Sequence, residues 1–340
     1  MSYSHHSKMF LKISVVVCFL ACISALERGD LEKYGLFRVG LNLVKCSHNR
    51  NLNLDVRNIK IYFYDFKNNF SRTFPIRNAA KGILNINNLD KTRKFVMFVG
   101  GYKSHINGST EKQMREAYKN YPNSYLIIPD HSAYTNKYGL GLKSYKRAVL
   151  HVHYIGKALG RMWANIKFGG VSPKKIHCVG HSLGGQILGH VGSTFFNITG
   201  KKISRITALD PAGPCFSNAA TEEQVRSGVA DLGSSEILGD VDFFMNKNGE
   251  MNPNCTAPVI PDLIFSSRAA KCNHRVCVDV WTASLKHPNL FPAYSCKSYE
   301  MFKKKKCVKN AKTMAGSGHP GVATGNYYFS TAMYDLKALA

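Results

Sequence analysis

Residues 176–190 read IHCVGHSLGGQILGH, an apolar run, a turn and a second apolar run. The turn contains Gly180-His181-Ser182-Leu183-Gly184, the pattern Gly-x-Ser-x-Gly. A strand that turns at once into a helix needs room on both sides of the turn residue. Glycines two positions away supply it, because they carry no Cβ. Such a turn lifts the Ser182 hydroxyl to the head of the helix. A bare five-residue match is weak evidence. Here Ile176–Val179 reads as a strand and Gln186–Val191 as a helix, the context that gives the match meaning. A glycine-rich turn without chemistry is the weaker reading in that setting.

The rest of the chain alternates in the same way. NIKIYFYDF at 58–66 alternates as a strand does. Residues 95–101 form an apolar run ending in Gly100-Gly101, and 124–130, SYLIIPD, form another. Both read as buried parallel strands. Val152, Ile155, Leu159, Met162 and Ile166 fall three and four apart, which predicts a helix over 144–167 with one buried stripe. His151 and His153 flank that stripe as surface polar groups. ISRITAL at 203–209 predicts a strand ending at Asp210. The fold class expected is α/β, with a mainly parallel central sheet and helices on both faces. Functional groups then gather at the carboxyl ends of the strands. The sequence has no internal repeat, low-complexity tract or clear linker.

A serine nucleophile needs a base, and the base needs an orienting acid. Asp210, Asp240 and Asp242 are the downstream acids at strand ends, and Pro211 stops pairing just after Asp210. The downstream histidines are His190, His274, His287 and His319. His190 lies inside the helix after the elbow and reads as structural. Spacing does not choose among the other three.

GHSLGGQ, ITALDPAGPCF, LGDVDFF and the later Cys272-Asn273-His274 resemble the pancreatic lipase family over roughly residues 45–335. That family includes triacylglycerol lipases and phospholipases A1. The resemblance implies the α/β-hydrolase fold and a triad of Ser182, Asp210 and His274. It implies backbone N–H donors for an oxyanion at Leu183 and Tyr102. The family's histidine in the second donor segment is Gly100 here. The resemblance also implies a lid disulfide, Cys255–Cys272, framing the apolar loop TAPVIPDLIFSSRAAK, and a second bridge, Cys296–Cys307. No cofactor and no metal are implied.

Residues 1–25 read as a signal peptide: Lys8 and Lys12, an apolar run from Ile13 to Ala21, then Ser24 and Ala25. The run is too short to span about 30 Å of hydrocarbon, so secretion to the extracellular space is expected rather than a membrane anchor. Residues 26–340 are expected to form a single α/β-hydrolase lipase domain. Of ten cysteines, Cys18 and Cys22 leave with the signal; an oxidising compartment favours disulfides among the rest. Cys178 is expected as a buried thiol; partners for Cys46, Cys215 and Cys277 stay open. No zinc-finger spacing is present. Sequons at Asn69, Asn107, Asn197 and Asn254 fit an exported glycoprotein. The net charge of +25 falls to 25 − 2 = +23 without the leader, which favours acidic partners such as an anionic lipid surface. No nucleic-acid module is visible. Lys303–Lys306 is either a surface patch or a solvated loop.

Two departures from the family stand out. No C-terminal β-sandwich follows GNYYFSTAMY, so colipase is not an expected partner, and single-domain insect lipases and venom phospholipases A1 are the better comparison. Between Asp210 and Asp242, where the family has a further apolar strand, the chain reads TEEQVRSGVADLGSSEI. The sheet is expected to be about one strand short there. The leading reading is a lipid carboxyl-ester hydrolase, a triacylglycerol lipase or phospholipase A1. The alternative is a lipase-like lipid-binding or yolk protein without turnover.

Overall fold

A computed structural model describes residues 46, 48, 50–137, 142–213, 215–216, 237–246, 255 and 268–339. The leader, residues 217–236 and the loop inside Cys255–Cys272 up to residue 267 lie outside the described residues.

The alternation in NIKIYFYDF produces β1, Lys60–Asp65, with Ile61 and Phe63 fully buried. A three-residue turn, with Asn69 at φ 48°, returns the chain as β2, Phe70–Pro75. A connection this short can only join strands antiparallel. Next come α1, Ile76–Leu84, β3, Lys94–Val99, α2, Ser109–Lys119, and β4, Ser124–Asp130. Then follow α3, Ser132–Thr135, α4, Leu142–Phe168, β5, Ile176–His181, α5, Leu183–Thr199, and β6, Arg205–Leu209. The last part holds β7, Val241–Met245, α6, Arg268–Lys286, β8, Pro292–Ser295, and α7, Tyr299–Lys303. It ends with β9, Lys312–Met314, β10, Gly325–Phe329, and α8, Leu336–Leu339.

The first sheet has the order β2-β1-β4-β3-β5-β6. Strands β4, β3, β5 and β6 run parallel, and β1 and β2 are antiparallel additions at one edge. The second sheet, β7-β10-β8-β9, has only its β7–β10 pair parallel. The expected mainly parallel sheet is therefore confined to four strands. The tight β1–β2 hairpin leaves no room for a helical crossover, so that pair is antiparallel.

Helices cover both faces of the first sheet. Phe95, Met97, Tyr125, Ile127 and Cys178 point to one core with the α4 stripe Val152, Ile155, Leu159, Met162 and Ile166, as that spacing predicts. Val96, Phe98, Leu126, Ile128 and Val179, one residue out of phase, meet Met114 and Tyr118 of α2 on the other face. Burying one such large apolar side chain contributes about 1.5–3 kcal/mol. Helix α6 is shared between the sheets. Its Val278, Trp281 and Leu285 pack on the first, while Val276, Val280 and Ala283 pack with Phe291, Tyr327 and Phe329 of the second. Two apolar stripes on one helix place α6, and everything it carries, between the two layers.

Among the described residues β6 and β7 do not pair; each is the outer strand of its own sheet. The expected shortening falls between these two strands, and Ile206 of β6 is left 42% exposed. A side chain links the sheets instead. Arg205 donates to the carbonyl oxygens of Gly316 (2.9 Å) and His319 (3.1 Å), and the His319 ring packs on Phe243 of β7.

Candidate active site

Ser182 joins β5 to α5 at φ 56°, ψ −122°. That backbone conformation costs a non-glycine residue about 1–3 kcal/mol and persists only where neighbours impose it. They do. A Cβ on Gly184 would lie 2.0 Å from the Val99 oxygen, so only glycine lets the helix head approach β3. The Ser182 N–H donates to the Leu209 oxygen (3.0 Å), and the Ser182 oxygen accepts from the N–H groups of Gly185 (2.9 Å) and Ala212 (3.0 Å). The elbow is thereby tied to the residues on either side of Asp210.

Asp210 follows the end of β6 at φ 44°, which turns its carboxylate off the strand line. His274 sits in α6 and donates its Nδ1–H to Asp210 Oδ2 in a short, charge-assisted contact. A quarter of the Asp210 side chain is exposed, yet the atoms packed around its carboxyl push it up to about 7. The imidazole hydrogen bond works against that rise, since it favours the carboxylate.

His181, the second residue of the elbow pattern, donates its Nε2–H to the His274 carbonyl (2.8 Å). Burial, reinforced by the neighbouring His274 and Arg275 charges, pulls His181 down to about 3, so it is a neutral donor at ordinary pH. It locks the backbone of α6 to the elbow. The Cys277 thiol donates to the same carbonyl at 3.3 Å. Burial holds Cys277 well above the usual thiol range, as it also does Cys178, so both stay protonated.

The other sequence candidates lie elsewhere. His190 packs edge-on against His153 between α4 and α5, as a structural residue does. His287 is exposed just past the end of α6, His319 belongs to the Arg205–Phe243 link, and Asp242 accepts the N–H of Gly239. Asp210 and His274 are the acid and histidine that the fold brings together.

The Gly100-Gly101-Tyr102 segment leaves β3 directly against the elbow. A Cβ on Gly101 would stand 2.8 Å from Ser182 Cβ and 3.2 Å from its Oγ. A Cβ on Gly100 would stand 2.1 Å from Glu111 Oε1. Glu111, on α2 and 2% exposed, thus occupies the space that a side chain at position 100 would need. Desolvation raises the Glu111 carboxyl above its ordinary value, against hydrogen bonds from Thr110 and Ser104. The segment is pinned at several points. The Gly101 N–H donates to Ser104 Oγ (3.0 Å) and the Lys103 N–H to the Thr135 oxygen (3.3 Å). The His131 Nε2–H donates to the Gly100 oxygen (3.1 Å), while Thr135 Oγ1 faces His131 Nδ1 at 2.8 Å. Burial lowers the pKa of His131, which keeps it neutral. Leu183 begins α5, where N–H groups lack helical partners.

The sequence singles out Ser182, Asp210, His274 and the glycine segment, which the fold gathers in one place, but not the contacts made there by His181, Ser104, Glu111 and His131. Glu111 reads as an ordinary acid in the first turn of a helix, and no local pattern marks it otherwise. The bridges Cys255–Cys272 and Cys296–Cys307 are formed as expected; the left-over Cys46 and Cys215 form a third. Among the described residues no cluster of metal-ligating side chains forms, and no helix is long and apolar enough to cross a membrane.

The chain matches the Lipase family over residues 40–331. It is 34% identical to human pancreatic lipase-related protein 3 over 163 residues, 40% of this chain and 33% of that protein. It is 32% identical to lipase member H of Rattus norvegicus over 206 residues, 57% of this chain and 39% of that protein. It is 29% identical to lipase member H-A of Xenopus laevis over 233 residues, 65% and 47% of the two chains. Each match spans less than half of the relative's own length.

Proposed function

The chain belongs to the Lipase family, and on that premise we propose that it is a secreted serine hydrolase of lipid carboxyl esters. Ser182 is the nucleophile, His274 the base and Asp210 the acid that fixes the imidazole tautomer. His274 takes the hydroxyl proton as Ser182 Oγ attacks the ester carbonyl. The N–H groups of Leu183 and Tyr102 receive the oxyanion, each contributing about 3–4 kcal/mol of barrier lowering where such donors have been removed. The tetrahedral species collapses, and His274 passes its proton to the departing alcohol or lysolipid. Water, deprotonated by the same imidazole, then attacks the acyl-enzyme, and the fatty acid leaves as Ser182 recovers its proton. No cofactor takes part.

The observation that carries this reading is the Asp210–His274 contact set beside a strained serine elbow. Secretion is supported by three disulfides and by exposed sequons at Asn69, Asn107 and Asn197. The apolar Cys255–Cys272 loop is the proposed lid, and the net charge of +25 leans toward anionic lipid surfaces and phospholipid. The product distribution from a mixed-chain phosphatidylcholine tests the substrate class. Release of the sn-1 chain supports phospholipase A1. Release from sn-2 alone, or none, removes that activity, and a parallel triacylglycerol emulsion then decides for or against a lipase.

The second reading, a lipid-binding protein without turnover, draws on β6, the strand that leads into Asp210, and β7 having no pairing with each other among the described residues.

A further inference from the structure

The buried carboxylate of Glu111 lies beside the reactive elbow but touches neither Ser182 nor His274 in the proposed mechanism. It is 2% exposed, faces two glycines and receives the Thr110 hydroxyl at 2.8 Å. A carboxylate taken out of water is costly unless hydrogen bonds hold it, so its retention at one spot asks for a reason. Its other partner is the Ser104 hydroxyl. Ser104 has one proton and two lone pairs. The proton goes to Glu111, which leaves the oxygen to accept the Gly101 N–H at 3.0 Å. Gly101 in turn lies against Ser182, close enough that a Cβ would stand 2.8 Å from Ser182 Cβ.

We propose that Glu111, acting through the Ser104 hydroxyl, is a positioning residue for the oxyanion segment. It fixes the rotor of Ser104, Ser104 consumes the Gly101 N–H, and the peptide that follows is left with the Tyr102 N–H for the substrate oxygen. The inference rests on the serine-hydrolase reading. It also accounts for Gly100: the carboxylate that orients the segment fills the space a side chain there would take. His131, donating to the Gly100 oxygen, restrains the same peptide.

The test uses the full chain and a short-chain 4-nitrophenyl ester, with the variants S104A, S104T, E111Q and S104A/E111Q. A shifted N–H donor acts on the transition state, so kcat should fall about tenfold in S104A and E111Q while KM stays within about twofold. S104T keeps the hydroxyl and should recover most of the rate. The double variant should be no slower than S104A, because both changes cut one relay. If E111Q does not fold, S104A and S104T carry the test unaided, since the Thr110 hydroxyl still donates to the Glu111 carboxylate in both. Folded S104A with an unchanged kcat, or single effects that multiply in the double variant, overturns the proposal while the hydrolase reading stands. A folded wild-type chain with no turnover overturns the hydrolase reading, and this inference with it.

Discussion

The Asp210 carboxylate, turned off the end of β6 at φ 44°, accepts the Nδ1–H of His274 from α6. The two residues are 64 positions apart and come from different layers. Helix α6 reaches Asp210 because its two apolar stripes wedge it between the sheets, and the His181 hydrogen bond fixes its height against the elbow.

Replacing Asp210 by Asn should leave the fold intact and lower kcat by about 10⁴-fold, since the amide stabilises the wrong imidazole tautomer. Steady-state hydrolysis with circular dichroism on the same sample checks both halves. A loss under about tenfold would argue that the contact is structural only.

The activity should rise with pH through neutrality. Catalysis needs the Asp210–His274 pair unprotonated apart from the shared Nδ1 proton, and burial pushes Asp210 up to about 7. Protonating either partner on the acid side removes the base, so kcat/KM climbs from pH 5 to 8 with apparent values that belong to the pair. A profile already flat at pH 5 would contradict the assignment.

Gly101→Ala should lower kcat by about 100-fold or more, because the added methyl drives the oxyanion segment off Ser182. Gly189→Ala is the contrast. Position 189 lies exposed in α5 with nothing within 4 Å of a built Cβ. There the substitution should add about 0.5–1 kcal/mol of stability, read as a higher Tm with the rate unchanged.

Arg93 and Asp65 form a buried ion pair at 3.0 Å, with the guanidinium stacked 3.9 Å from the Tyr125 ring. Burial alone would raise the Asp65 carboxyl; hydrogen bonds from Arg93 and Asn68 outweigh it and hold it below its ordinary value. Arg93→Met should cost about 3–5 kcal/mol near neutral pH by stranding that carboxylate. The contribution is present above the unfolded carboxylate pKa and is lost as pH falls through the depressed folded value. The stability gap in urea titrations should therefore close toward acid.

What could be read from the sequence was local. The elbow, the α4 stripe and the runs that became β3, β4 and β5 declare themselves within windows of 5 to 25 residues. The family motifs pointed to Asp210 and His274, which the fold brings into contact, and to two of the disulfides that form. Pairings between distant segments were not readable: Cys46 with Cys215, 169 residues apart, or β10 alongside β7. The roles of Glu111 and His131 depend on what lies across the turn from them, which no local pattern encodes. The segment that reads as one strand short, 221–237, lies outside the described residues except for Ile237.

The most direct test of the central claim is labelling of the folded chain with a fluorophosphonate probe, followed by peptide mapping. One covalent adduct is expected, on Ser182, abolished in Ser182→Ala and strongly slowed in His274→Ala. Folded protein that takes no label, or takes it on another serine, would contradict it.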